Sequence, residues 1–235
     1  MNPVEAFQYL LENNLPLVLS FPLEEEKGRV ITGKGVCHIE KIHGGSRVTM
    51  GRFYPSGLVY YLSNCQSFSA TFEIKGKTYC CAIERLTVSK SIIVADIPTS
   101  LKTSLRRFLR VEPSLKSPVM IYINTPEYGT LPFAVQDISE HGSGFFTNVI
   151  LDAGDNFICG LELPIDNVTF ILSKAAIVYK RESTEKERAV KKQNIFDKSN
   201  FYGLELFPHN EDEKKIRLYV MKRELEIRRK IRGEL

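Results

Sequence analysis

No stretch of this sequence approaches the roughly 20 consecutive apolar residues that a membrane-crossing helix needs, so no membrane span is expected. Cysteine is scarce. Cys37, Cys65, Cys80, Cys81 and Cys159 are odd in number and contain no CxxC pair. A disulfide framework would use an even set at regular intervals. The opening residues Met1 to Phe7 carry no basic stretch ahead of an apolar one, so no signal peptide is expected and the cytoplasm is the expected compartment. A large surplus of one charge sign is also missing. The net charge of +4 is dispersed, whereas a nucleic-acid face would concentrate it.

Enzyme signatures are absent as well. There is no GxSxG elbow, no HExxH and no P-loop. Cys37-His38, His43, His141 and Cys159 would need spatial convergence and a tuned thiolate to act as a nucleophile–base pair or metal site. Cys80 and Cys81 are neighbours on an expected strand, so they face opposite sides and cannot share a metal. His43-Gly44-Gly45-Ser46 resembles an oxyanion-hole loop without its partner elbow. Core thiols and turn glycines account for all of these. No catalytic residue, metal or cofactor is expected.

What remains is ordinary for a globular chain. Of 235 residues, 43% are hydrophobic and 26% charged, enough for one large or two small cores. Asn2, Pro3 and Glu5 form a helix start, and Phe7, Leu10 and Leu11 share a face before Asn13-Asn14 and Pro16 end it. From Leu17 to Pro98 the pattern is β: Val18 to Phe21, Gly35 to Ile42, Arg47 to Phe53, Leu58 to Leu62, a hairpin turning on Lys75-Gly76-Lys77, and Ser91 to Ile97. A polar, basic stretch at 99–117 reads as a connector. A second β series covers Val119 to Asn124, Leu131 to Ile138, Gly144 to Asn148, Phe157 to Leu163, Val168 to Tyr179 and Phe201 to Phe207. Its mixed-sign stretch Arg181 to Arg188 reads as a solvated hairpin tip. The closing helix, Asn210 to Arg232, carries Ile216, Val220, Ile227 and Ile231 near one stripe. That stripe can dock on a barrel or on another protomer, so a homodimer stays open. Arg223, Arg228, Arg229, Lys230 and Arg232 are interrupted by Glu224 and Glu226. A salt-bridged helix explains that mixture better than nucleic-acid binding. The expected class is therefore mainly β. It comprises two small antiparallel β-barrel domains in tandem (1–98 and 118–235), a short N-terminal helix and a C-terminal amphipathic helix.

Two segments can carry chemistry. Arg106 and Arg110 are spaced i, i+4 with Arg107 between them. On a helical or turn-like segment they would project together, and guanidinium groups bind phosphate bidentately and stack on bases. Asp137-Ile138-Ser139-Glu140-His141-Gly142-Ser143-Gly144 ends an alternating strand with a carboxylate, a hydroxyl able to bond locally, and two glycines that permit positive φ or close approach of a ligand. A carboxylate also matches the N1–H and N2–H₂ donors of guanine.

In this order the two segments resemble the PilZ domain, with its RxxxR ahead of the first barrel strand and DxSxxG after it. Arg106 and Arg110 match the first part, and Asp137, Ser139, Gly142 and Gly144 the second. Tyr202-Gly203-Leu204-Glu205-Leu206 is similar to a late strand of that fold. The N-terminal half, through Ala70-Thr71-Phe72-Glu73, Gly76, Tyr79 and Ile97-Pro98, is similar to the barrel that precedes PilZ in flagellar-brake (YcgR-like) proteins. The resemblance implies a receptor for cyclic di-GMP whose two domains rearrange on binding and whose partner is, in brake-like relatives, the flagellar motor. It implies contacts from Arg106, Arg107, Arg110, Asp137, Ser139, Gly142 and Gly144. Many members carry arginine immediately before RxxxR. Leu105 stands there instead, which implies one bound ligand rather than an intercalated pair. The alternatives are a nucleic-acid-binding barrel and a PilZ-like interaction module that binds no nucleotide.

Overall fold

The computed structural model describes residues 1–24, 30–89, 91–104, 109–151, 156–165, 168–183 and 200–233. The chain divides into two compact units, Met1–Arg107 with Leu225–Leu235, and Phe108–Glu224.

In the first unit, helix α1 (Pro3–Glu12) starts where Val4 N–H donates to the Asn2 side chain at 2.9 Å. That bond satisfies one of the orphan donors of the first turn. The helix buries Ala6, Phe7 and Leu10, and the Phe7 ring meets Phe72 edge-on at 5.8 Å. The strands are β1 (Pro16–Glu24), β2 (Val30–His43), β3 (Arg47–Tyr54), β4 (Ser67–Ile74), β5 (Lys77–Val88), β6 (Ile93–Asp96) and β7 (Lys102–Thr103). In β1, Leu17, Leu19, Phe21 and Leu23 alternate inward, the period-2 signature of a half-buried strand. The order β4-β1-β2-β3-β6-β5 is closed by pairing of β4 with β5, and β7 adds to β5. The β4–β5 hairpin turns through Lys75 (φ 50°) and Gly76 (φ 73°), the left-handed pair a two-residue hairpin favours.

Leu58 to Leu62, expected as a strand, is helix α2 (Leu58–Ser63). A strand would put Leu58, Tyr60 and Leu62 on one face. Here Leu58 and Leu62 are buried while Tyr60 is 69% exposed, the i, i+4 pattern of a helix. A five-residue apolar run does not by itself distinguish the two.

The second unit contains β8 (Arg110–Val111), β9 (Met120–Thr125), β10 (Gly129–Ser139), β11 (Gly142–Thr147), β12 (Asn156–Leu163), β13 (Thr169–Glu182) and β14 (Asn200–Phe207). The order β11-β14-β13-β12-β9-β10 closes through β10–β11 pairing, and β8 adds to β10. The stretch expected as a connector thus supplies a two-residue strand to each sheet. Helix α3 (Asn210–Arg232) comes last. Its Ile216, Tyr219 and Val220 join the core of the second unit, whereas Ile227 and Ile231 join that of the first. Lys214–Glu211 and Lys215–Asp212 pair at 2.8 Å, and buried Arg223 donates through Nε to the Glu112 carbonyl at 2.8 Å. The architecture is mainly β, with the two helices expected at its ends. Among the described residues, no helix is long and apolar enough to cross a membrane.

Candidate ligand-binding site

The site is built by a break in strand alternation. Along β10, Phe133 and Val135 are buried, and strict period 2 would send Asp137 inward after them. Instead Val135 pairs with Phe145 and Asp137 with Gly144, leaving Gln136 as an extra residue. Such a bulge reverses the inside–outside phase of the residues beyond it. Ile138 enters the core, and the Asp137 carboxylate, 26% exposed, turns to the outer wall of the barrel.

Arg110 reaches the same place from β8. Ser139 pairs with Arg110 and Ile138 with Val111, and Arg110 Nη1 donates to Asp137 Oδ1 at 3.1 Å. Arg110 is therefore presented by a strand, not by the helical or turn-like segment its spacing suggested. Both partners are partly exposed, so the ion pair contributes about 1 kcal/mol or less; its value is positional. Leu105, Arg106 and Arg107 lie outside the described residues.

Ser139 is buried and its Oγ donates to the Gly142 carbonyl at 3.3 Å, tying the two strands at their turn. The glycines serve space rather than positive φ, which neither adopts. A Cβ on Gly142 would lie 3.2 Å from both the Leu204 carbonyl and Ser139 Oγ, with Arg110 Nη2 at 3.9 Å. A Cβ on Gly144 would lie 2.4 Å from Phe201 Cζ and 2.9 Å from Asp137 Oδ2. Gly144 is what allows the carboxylate and the aromatic ring to occupy one neighbourhood.

Two residues escaped the sequence analysis. Arg181, assigned to a solvated tip, belongs to β13 and holds its guanidinium 4.8 Å from the centroid of Phe201. The rest of that tip, from residue 184, lies outside the described residues. Phe201 read simply as the start of a strand. The signal that joins them, a second bulge between Ile177 and Tyr179, has no sequence mark.

Burial pushes the thiols of Cys37 and Cys81 up to about 12 and that of Cys159 up to about 11, opposing the thiolate a nucleophile needs. Among the described residues, one group has metal-ligand types in proximity: Glu140, His141 and Glu213. Arg217 donates to both carboxylates and so supplies the positive charge a cation would bring. The Glu140 carboxyl is held below its ordinary value, chiefly by the hydrogen bond from Arg217.

No family model and no curated protein matches this chain. Among solved structures it is similar to Escherichia coli YcgR in complex with c-di-GMP, at 15% identity over 97% of this chain and 92% of that one, with a TM-score of 0.44. It is similar to the Bacillus subtilis inhibitor of motility MotI/DgrA at 13% identity, covering 90% and 97%, with a TM-score of 0.43. It is also similar to the K. pneumonia MrkH–c-di-GMP complex at 14% identity, covering 97% and 95%, with a TM-score of 0.45. At these values the likeness carries no assignment of ligand or partner; that rests on the chain's own residues.

Proposed function

We propose that this chain is a non-catalytic PilZ-type receptor for cyclic di-GMP. One observation carries the reading: the two motif segments, distant in sequence, meet at Arg110 and Asp137 beside Ser139, Gly142 and Gly144. In the proposed complex, the Asp137 carboxylate accepts from guanine N1–H and N2–H₂. Arg110, with Arg106 and Arg107 preceding it, neutralises phosphate through charge-assisted bonds. Ser139 and Gly142 hold the turn, and Gly144 leaves the carboxylate its place. Leu105 adds no donor, so the site takes one ligand.

The proposed output is a change in arrangement of the two units, driven by the contacts that the arginine-bearing segment makes with the ligand. In the cytoplasm this would alter a surface that engages a protein partner, with flagellar motility as the regulated process that the brake-like resemblance implies. Titration of the purified chain with cyclic di-GMP tests the ligand. Small-angle scattering with and without ligand tests the rearrangement: a changed scattering profile at saturation supports it, and superimposable curves contradict it.

A further inference from the structure

The outer wall of the second barrel carries a second re-aimed cluster, on the far side of the two glycine-bearing strands from Asp137. Along β13, Ala175 and Ile177 are buried. Continued alternation would send Tyr179 and Arg181 inward after them. Pairing runs instead from Ile177↔Leu204 to Tyr179↔Gly203 and Arg181↔Phe201, with a bulge at Val178. Tyr179 is left 51% exposed. Two bulges, one on β10 and one on β13, thus turn a carboxylate and an arginine to the same outer wall, where bulges commonly re-aim side chains.

Between them run β11 and β14, paired at Gly144↔Gly203 and Phe146↔Phe201. Phe201 links the two sides. Its ring edge fills the space over Gly144 next to Asp137 Oδ2, and its face carries Arg181 at 4.8 Å. The Phe146 ring braces Phe201 edge-on, with centroids 5.0 Å apart. A cation over an aromatic face suits the ring's quadrupole. A simpler account is that Phe201 and Tyr179 merely cover glycines that would weaken the sheet. That explains the rings. It does not explain why an arginine is turned outward and seated on one of them.

We infer that Arg181, seated on Phe201, is a further ligand-binding residue, stacking on a guanine base of the ligand from the side opposite Arg110. This rests on the proposed cyclic di-GMP reading. A planar guanidinium backed by a ring is well matched to a purine face, and Arg is the cation suited to such stacking.

The test is a calorimetric titration of cyclic di-GMP into the full chain, with Arg110→Ala, Arg181→Ala and Arg181→Lys measured alongside. Arg181→Ala is expected to weaken binding about tenfold, the scale of a desolvated cation–π and stacking contact. Arg181→Lys keeps the charge but not the flat guanidinium, and should recover only part of that loss. Thermal unfolding of each variant is expected to stay near wild type, since Arg181 is partly exposed. Binding by Arg181→Ala at wild-type strength, with Arg110→Ala impaired, would overturn this inference and leave the receptor reading intact. Full recovery in Arg181→Lys would overturn stacking as the role. Absence of binding by the wild-type chain would overturn the receptor reading, and the inference with it.

Discussion

Arg110 and Asp137, 27 positions apart in the chain, meet at 3.1 Å between Nη1 and Oδ1. A two-residue strand supplies one, and the bulged strand it pairs with supplies the other. Each charge has the other as a partner.

Arg110→Ala should therefore weaken cyclic di-GMP binding while sparing the fold. A lost charge-assisted bond costs about 1.5 to 3 kcal/mol, or roughly ten- to a hundredfold in affinity. The partly exposed ion pair contributes about 1 kcal/mol or less to stability. Calorimetry and thermal unfolding read the two effects separately. Arg106→Ala is expected to behave alike, and wild-type affinity in both variants would remove the proposed clamp.

Asp137 should set base identity. Adenine presents neither N1–H nor a 2-amino group to a carboxylate, so cyclic di-AMP is expected to bind poorly to the unmutated chain. Asp137→Ala should weaken cyclic di-GMP strongly. Competition between the two dinucleotides checks this, and equal affinities would contradict the assignment.

Gly144→Ala should cost both stability and binding. Its Cβ would lie 2.4 Å from Phe201 Cζ and 2.9 Å from Asp137 Oδ2, so the ring, the carboxylate or both must move. Overpacking of this kind costs typically about 1–3 kcal/mol. Gly142→Ala, with its nearest atoms at 3.2 Å, should be milder. Denaturant midpoints of the two variants rank them, and the reverse order would mean the outer wall yields freely at Phe201.

Much of the fold was legible in the sequence because alternation is local. Leu17, Leu19, Phe21 and Leu23 announce β1, and Asn2 with Pro3 announces α1. The residue types of the site were also legible, since Arg110, Asp137, Ser139 and Gly144 fall in spaced motifs. Their geometry was not. Gln136 and Val178 are the extra residues of bulges, and a bulge is fixed by register against a partner strand that periodicity cannot see. The same limit hid Arg181 in a charged run and gave Leu58 to Leu62 to the wrong element. The stripe on α3 likewise reads as one face, although Ile216 and Ile227 serve different cores.

Acid should expose the Glu140–Arg217 contact. Arg217 holds the folded-state pKa of Glu140 below its ordinary 4.5. Its stabilising contribution is therefore present in full above that value and lost as pH falls through the lowered folded-state value. Glu140→Gln should be less stable than wild type near neutrality, and the gap should close as pH falls below 4.5 and through the lowered folded-state value. Urea unfolding across that range measures it. A gap that is constant or widens in acid would contradict the pairing.

The central claim is met most directly by titrating the unmutated chain with cyclic di-GMP in a calorimeter. Saturable binding at one ligand per chain is the predicted result, with cyclic di-AMP giving little or no heat under the same conditions. A chain that binds neither dinucleotide, or binds both alike, would contradict it.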